Sequence, residues 1–139
     1  MPPDAYVQDT GTEKGRGVFA NRNFKKGELI ESAPVLVLLK PFQELPPRIQ
    51  TIVYNWQGLT KGKTHSTGLI YGFGSLYNHN NPANMRYEAN ADDEIMYYYA
   101  AEDIDKDEEL TVNYNDANGS PVSKDDNWFR EHNIKPIIN

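Results

Sequence analysis

The apolar residues of this 139-residue chain fall in short runs that glycine, proline, asparagine and aspartate interrupt. The runs are rich in β-branched, aliphatic and aromatic residues, which favour strands. We predict strands over 17–20, 28–31, 35–39, 87–90, 94–101 and 109–114, with a break at Pro34 and a hairpin turn over 91–93. The fold class is therefore mainly β, or α+β with little helix.

Helical patterns are confined to two places. Ile49, Ile52, Val53 and Trp56 recur at i, i+3, i+4 and i+7, which predicts a helix although β-branched residues dominate the set. A closing helix is predicted over 128–133, because two aspartates precede it in capping positions. Both helices are short, so helix contributes little to the fold.

Composition excludes several kinds of site and partner. The chain has no cysteine, which excludes a disulfide framework, a thiol nucleophile and a thiolate metal site. A net charge of −6 opposes direct nucleic-acid binding and attracts basic partners, although solubility alone also accounts for it. We find no N-terminal signal and no apolar run of ~18 to 20 residues, so we expect a cytoplasmic protein that does not enter a membrane.

Residues 14–20 carry two glycines separated by one residue, Gly15 and Gly17. Residues without a Cβ let the backbone approach a ligand closely, although an ordinary β-turn explains the same pattern. A third glycine at the required spacing and a following helix are both missing. The segment is therefore not a dinucleotide-binding fingerprint.

A second segment, residues 71–84, joins glycines to a dense run of side-chain amides around one histidine. Asn78 and Asn84 are suited either to hydrogen-bond a planar heterocycle or to pin crossing backbone segments together. His79 is suited to act as a base, a ligand or a structural donor. The order of residues that a serine–histidine–acid triad needs is absent from the sequence.

Alternating acids from residue 103 onward suggest a calcium-binding loop, but the spacing fails. Counted from Asp103, Glu108 stands where such a loop needs glycine, and Tyr114 stands where it needs a bidentate acid. Because there are only three scattered histidines and no cysteine, we expect no metal site. Residues 103–108 are better explained as a solvated turn before the strand that carries Tyr114.

Taken in this order, the three segments resemble the SET domain family of protein lysine methyltransferases, most of all its compact stand-alone bacterial and viral members. The family's two opening turns are similar to KGRGVFA and KKGELI in this sequence. Its hallmark asparagine–histidine pair with a later asparagine is similar to Asn78 and His79 followed by Asn84. Its ELTxxY strand is similar to residues 109–114. The resemblance covers about 14–128. It implies a SET-type β-clip fold of small sheets with a C-terminal pseudoknot.

The same resemblance implies a single SET domain over 1–139. Its core would span about 14–129, after an N-terminal segment over 1–10, and a C-terminal aromatic lid would span 125–139. The chain departs from the family in the loop after the histidine, where Asn80 replaces serine and a proline falls one residue early. We expect an altered loop there and a retained site.

The cofactor implied by the resemblance is S-adenosylmethionine. The residues expected to bind it are Lys14, Gly15, Arg16, Gly17, Asn78, His79, Tyr114 and Trp128. Trp128 would stack on the adenine, with an ordinary core anchor as the alternative.

Tyr114 matches the family's catalytic tyrosine, and the resemblance implies Tyr87 and Tyr54 as further residues of a lysine channel. Structural roles for Tyr87 and Tyr54 are the alternative, and residues 97–99 are assigned to strand packing. Methyl transfer needs a neutral lysine nitrogen in line with the methyl group. A dry aromatic channel lowers the ammonium pKa from ~10.4 and holds the nitrogen in place.

The implied function is S-adenosylmethionine-dependent methylation of a lysine in a basic protein segment, such as a histone tail. One alternative is a non-catalytic SET module that binds peptide or cofactor without turnover, and another is methylation of a small amine. We expect the protein in the cytoplasm, or in the nucleus if its source is eukaryotic or viral. The sequence does not decide the oligomeric state, a homodimer included.

Overall fold

The computed structural model describes residues 3–62, 66–115 and 119–124. The strands in this part of the chain are β1 Ala5–Asp9, β2 Arg16–Ala20, β3 Leu29–Leu38, β4 Val53–Tyr54, β5 Thr67–Ile70, β6 Asn78–His79, β7 Met85–Asn90, β8 Ile95–Ala100 and β9 Glu109–Val112. The helices are α1 Pro47–Gln50 and α2 Trp56–Thr60, after a 3₁₀ turn over Phe42–Glu44. The predicted class, mainly β with little helix, is confirmed. The closing helix predicted over 128–133, Trp128 and the lid predicted over 125–139 lie outside the described residues.

The strands form two sheets on a common core. One sheet has the order β1-β2-β9-β6 and the other has the order β4-β5-β3-β8-β7. Residues of both sheets contribute to one buried apolar cluster. Val18 and Leu110 from the first sheet and Met85 and Met96 from the second are fully buried in it. The two sheets are therefore held together by shared hydrophobic burial.

Strand β3 runs straight through Pro34, so the predicted break between 28–31 and 35–39 is wrong. Proline is tolerated because β3 changes partner at this point. It pairs with β8 as far as Pro34 and with β5 from Val35 onward. The missing N–H therefore falls where one ladder ends and the next begins. The Pro34 carbonyl still accepts the Tyr71 N–H at 2.9 Å.

The helix predicted over 49–56 is also wrong. The stretch divides into α1, the two-residue strand β4 and the start of α2. Val53 in β4 pairs with Leu69, a position that suits a β-branched side chain. Asn55 then starts α2 as its N-cap, because its side chain accepts the Gly58 N–H at 3.0 Å. Tertiary pairing and a capping residue together override the helical spacing.

Strand β1 was not predicted from the sequence, where residues 1–10 received no element. It forms the edge of the first sheet and pairs along its whole length with β2. The ring of Tyr6 stacks on Phe19 at a centroid distance of 5.7 Å, and the Tyr6 hydroxyl donates to Asp107 at 2.8 Å. The N-terminal segment therefore contributes a strand.

The predicted hairpin is confirmed as β7 and β8, which pair from Met85 opposite Ala100 to Asn90 opposite Ile95. Burial alternates along β8, as expected for a strand with one face on the core. This alternation turns Tyr98 inward, where it is fully buried.

A crossing of chain segments closes the fold. Strand β6 pairs with β9 in parallel, and the chain after β9 returns to bind the segment that follows β6. There the Ala83 N–H donates to the Pro121 carbonyl at 2.8 Å, and the Tyr87 N–H donates to the Gly119 carbonyl at 3.1 Å. Residues 78–87 are thus bonded both by β9 and by the chain beyond it, which is the pseudoknot that the family resemblance implies.

The loop after β6 carries the two departures from the family pattern, Asn80 and Pro82. Its Asn81–Pro82 peptide is cis. The Asn81 side chain donates to the Ser123 carbonyl at 3.1 Å and accepts the Ser123 N–H at 3.3 Å. The loop is therefore tied to the chain after β9.

We predict that Gly119→Ala destabilises the crossing more than Gly11→Ala does. Both glycines have positive φ, +84° and +73°, so the two variants share the backbone strain of that region. A Cβ at Gly119 would collide with the Tyr87 carbonyl, whereas a Cβ at Gly11 meets nothing within 4 Å. The additional loss of unfolding free energy should be about 1–3 kcal/mol, measured by chemical denaturation. Equal losses in the two variants would contradict this account of the crossing.

Candidate active site

The side chain of Asn84 joins the two crossing segments. Its Oδ1 accepts the Thr111 N–H at 2.9 Å, and its Nδ2 donates to the Glu109 carbonyl at 2.8 Å. The Asn84 N–H also donates to Thr111 Oγ1 at 3.2 Å. The sequence suggested that this amide either binds a planar heterocycle or pins crossing backbone segments together. The structure shows that it pins the segments.

His79 positions the backbone at Tyr114. The imidazole is 4 % exposed, and its Nδ1 accepts the Tyr114 N–H at 3.0 Å. A ring nitrogen that accepts a hydrogen bond carries no proton, so His79 is neutral in this arrangement. Strand β9 ends at Val112, opposite the last residue of β6, and not at the predicted residue 114.

The glycine-containing turn lies beside β6. The Lys14 Nζ donates to the His79 carbonyl at 3.1 Å, and the Asn78 Nδ2 donates to the Arg16 carbonyl at 3.0 Å. Asn78 Nδ2 also donates to Glu109 Oε2 at 2.7 Å. The predicted cofactor residues before residue 80 therefore converge from two distant parts of the chain.

Gly15 and Gly17 have different surroundings in this turn. Gly15 has a φ of +74°, and a Cβ there would meet nothing within 4 Å. A Cβ at Gly17 would lie 2.5 Å from Glu109 Oε2 and 3.0 Å from Asn78 Nδ2. Only glycine lets β2 approach these two polar side chains so closely.

Five tyrosines form a cluster: Tyr54, Tyr77, Tyr87, Tyr98 and Tyr114. The Tyr54 and Tyr87 rings meet edge to face at 5.2 Å, and the Tyr77 and Tyr98 rings lie 4.8 Å apart. Tyr87 and Tyr98 are 6.0 Å apart, and the Tyr114 ring lies 5.4 Å from the His79 ring. The structure thus brings all three predicted channel tyrosines to one region.

Three of the phenol groups in the cluster donate to backbone carbonyls. The Tyr114 hydroxyl donates to the carbonyl of Tyr77 at 2.6 Å. Tyr54 donates to Gly74 at 3.0 Å, and Tyr87 donates to Asn113 at 3.2 Å. The cluster therefore consists of phenols hydrogen-bonded to carbonyl oxygens, groups that also interact well with a cation or an amine.

Burial keeps these phenols protonated. It raises the pKa of Tyr54, Tyr77 and Tyr98 well above the ordinary tyrosine value, and nearby tyrosines or the Glu31 carboxylate add to the shift. Burial likewise raises the pKa of Tyr114, with a smaller contribution from the charge of Glu109. Tyr114 is therefore a hydrogen-bond donor near neutral pH and not a base.

Sequence reasoning missed three polar residues around the cluster, Tyr77, Tyr98 and Glu31. Tyr98, which the sequence assigned to strand packing, is fully buried in the core, and its hydroxyl also donates to the Tyr54 hydroxyl at 3.0 Å. Counting alternate positions along the hairpin strand from Met96 would have placed Tyr98 on the inner face. Glu31 is 1 % exposed inside an apolar strand, and burial raises the pKa of its carboxyl. No pattern in the sequence signalled that position.

The acids over 103–108 serve as turn acceptors. Asp103 Oδ1 accepts the Lys26 N–H at 2.9 Å, and Glu108 Oε1 accepts the Asp105 N–H at 3.0 Å. In the part of the chain that the structure describes, no group of three or more histidine, aspartate or glutamate side chains is arranged to hold a metal ion. In the same part, no helix is long and apolar enough to cross a membrane.

Comparison with known proteins agrees with this geometry. The sequence model of the SET domain matches residues 15–115, which include the glycine turn, the crossing and Tyr114. The chain belongs to the SET domain family. In Schizosaccharomyces pombe (strain 972 / ATCC 24843), a relative of this SET domain is a histone-lysine N-methyltransferase specific for H3 lysine 37. The two are 32 % identical over 113 residues, or 79 % of this chain and 72 % of the relative.

Solved structures show the same SET fold. A candidate histone methyltransferase of Plasmodium falciparum superposes with a TM-score of 0.65 at 25 % identity, covering 83 % of this chain and 96 % of that one. A Polycomb Repressive Complex 2 of Chaetomium thermophilum superposes with a TM-score of 0.63 at 18 % identity, covering 84 % of this chain and 15 % of that one. The second likeness concerns the fold alone. Family membership and the S. pombe relative support lysine methyltransferase activity for this SET domain.

We predict that the clustered phenols resist ionisation until the protein unfolds. Their folded pKa values lie above the unfolded value of 10.0, so this contribution to stability is complete below pH 10 and is lost as the pH rises from 10 toward the folded pKa values. Tyr98→Phe should lessen this loss, because one such group is removed. Tyrosinate absorbance and circular dichroism are followed together in both proteins. Release of the Tyr98 proton while the wild-type dichroism stays native would refute the prediction.

Proposed function

We propose that this chain is an S-adenosylmethionine-dependent protein-lysine N-methyltransferase, in which Tyr114 is the central catalytic residue. The observation that carries the proposal is the position of Tyr114. It follows the crossing of β6 and β9, its backbone is held by His79, and its neutral hydroxyl enters a cluster of tyrosines. The S. pombe relative supports lysine as the acceptor.

The residues of the glycine turn and of β6 suit S-adenosylmethionine chemically. That molecule carries a carboxylate, an ammonium, a sulfonium and an adenine. Lys14 and Arg16 offer positive charge, the Glu109 carboxylate offers negative charge, and the glycines expose backbone groups. Asn78 lies between them, 2.7 Å from Glu109. Bound there, the cofactor would supply an electrophilic methyl group on sulfur.

The tyrosine cluster would prepare the lysine. Removing water around the ammonium lowers its pKa, so the nitrogen loses its proton before it attacks the methyl carbon. The carbonyls of Tyr77 and Asn113 already accept phenol hydrogen bonds, and these phenols would align the nitrogen beside them. An N–C bond would then form as the C–S bond breaks, with the electron pair going to sulfur and the ammonium proton having passed to solvent. Tyr87 and Tyr54 would line the channel.

A basic protein segment is the proposed substrate. The chain has 20 acidic residues and 14 basic ones, so its negative electrostatic potential attracts basic protein segments. The specificity of the S. pombe relative for H3 lysine 37 favours a histone-like protein. The protein would act where such a substrate is found, in the cytoplasm or the nucleus.

We predict that Asn78→Ala weakens the binding of S-adenosylmethionine. The substitution leaves Glu109 and the Arg16 carbonyl without this donor, and the loss should be about 1–3 kcal/mol of binding free energy in calorimetry. Asn90→Ala is the matched control, because the Asn90 side chain bonds Asp93 in the hairpin turn. Unfolding temperatures of both variants separate binding from folding. Equal cofactor affinity in the two variants would remove Asn78 from the site.

We predict that Tyr114→Phe abolishes most turnover and preserves the fold. A group that acts mainly in the transition state affects kcat far more than binding, and the loss should be ~10²-fold or more. Single-turnover transfer of labelled methyl to histones and to other basic proteins gives the rate. Calorimetry on the same preparation gives cofactor affinity, which should change little.

The matched control for that experiment is Tyr6→Phe. It also removes a single hydroxyl, here one bonded to Asp107 on the protein surface. Near wild-type methylation by Tyr114→Phe would show that the proposed role of Tyr114 is wrong. Absence of methylation by the wild-type protein on every basic protein and lysine peptide would contradict the proposed enzyme activity itself.

A further inference from the structure

Glu31 is a buried carboxylate that the proposed chemistry does not use. It lies on β3 and is 1 % exposed. Its Oε1 accepts the Tyr77 hydroxyl at 2.7 Å, and its Oε2 accepts the Phe73 N–H at 3.0 Å. Both partners are neutral, so neither bond forms an ion pair. Burying a carboxylate in this way is costly, and such a cost calls for a function.

The turn that covers Glu31 is shaped around its carboxylate. This segment, residues 71–77, enters the turn at Gly72, which has a φ of +68°. A Cβ on Gly72 would collide with Glu31 Oε2, so the backbone can close over the carboxylate only at a glycine. Glu31 therefore holds the 71–77 segment at both ends of its turn, through Phe73 and Tyr77.

The same segment supplies the carbonyls that receive two channel phenols. The Gly74 carbonyl accepts the Tyr54 hydroxyl at 3.0 Å, and the Tyr77 carbonyl accepts the Tyr114 hydroxyl at 2.6 Å. A shift of the segment would move both acceptors at once. Glu31 is thus linked to Tyr114 through Tyr77, and to Tyr54 through Phe73 and the adjoining Gly74.

We propose that Glu31 is a positioning residue for methyl transfer, which holds the 71–77 segment so that its carbonyls orient the hydroxyls of Tyr54 and Tyr114. The proposal rests on the proposed function of the site. Glu31 is not a catalytic base, because its two carboxylate oxygens accept the Tyr77 hydroxyl and the Phe73 N–H. It acts through the backbone of Tyr77 and Gly74.

The test compares Glu31→Gln and Tyr77→Phe with Ile104→Ala. Glu31→Gln keeps the size of the side chain and removes the charge and one acceptor. Tyr77→Phe removes the hydroxyl and keeps the Tyr77 carbonyl. Ile104→Ala is the control for stability, since Ile104 is 1 % exposed and its backbone pairs with Phe24 instead.

The kinetic readout is kcat with a lysine peptide, at a temperature where all variants are folded. We expect kcat to fall roughly 10²-fold in Glu31→Gln, while KM and cofactor affinity change less than about threefold. The double variant with Tyr77→Phe should lose little more than Glu31→Gln alone, because the Tyr77 hydroxyl acts through the Glu31 carboxylate. Multiplicative losses, or an equal fall of kcat in Ile104→Ala, would overturn the proposal.

A readout without substrate separates this proposal from the proposed function. Tyrosine labelled with carbon-13 at Cζ reports on each phenol by NMR, and the Tyr54 and Tyr114 resonances are assigned from their own phenylalanine variants. Both resonances should shift in Glu31→Gln and in Tyr77→Phe, and neither should shift in Ile104→Ala. Unshifted resonances in the first two variants overturn the positioning role. If the wild-type protein methylates nothing, the proposed function fails, and the resonances still decide whether Glu31 orients the phenols.

Discussion

The parallel pairing of β6 with β9 is the contact on which the rest of the structure depends. It joins residues more than thirty positions apart through a ladder only two residues long. Such a ladder contributes few hydrogen bonds, so side chains complete it. Asn84 bonds the backbone of Glu109 and of Thr111, and His79 bonds the backbone of Tyr114. The network fixes the register of the crossing, because a slip of one residue would leave these buried polar groups unpaired.

Fold and candidate site share this network. The amide of Asn78 reaches the Arg16 carbonyl and Glu109, so the glycine turn is attached to the same crossing that carries Tyr114. A substitution that loosens the crossing therefore alters the site as well. For this reason, stability and turnover have to be measured on the same preparation. Neither result alone separates a structural role of these amides from a binding role.

The sequence allowed the strand content, the hairpin and the SET family to be predicted, because alternation and motif spacing are local signals. The continuation of β3 through Pro34 could not be predicted, because a strand tolerates that proline only when its neighbouring strand changes there. The helical spacing ending at Trp56 was misleading for a similar reason: Val53 is paired with β5. For the site, the motifs pointed to Tyr114. They could not point to Glu31, whose partners come from another part of the chain.

The chemistry of the tyrosine cluster explains why a carboxylate is kept behind it. A lysine must lose its proton before it accepts a methyl group, and a carboxylate facing the channel would stabilise the charged ammonium and oppose that loss. Phenols and carbonyls hydrogen-bond an amine without carrying a full charge. Glu31 lies beyond Tyr77, whose hydroxyl caps it at 2.7 Å. Its two carboxylate oxygens thus order the 71–77 segment, and the hydroxyls of Tyr54 and Tyr114 are left to meet the nitrogen.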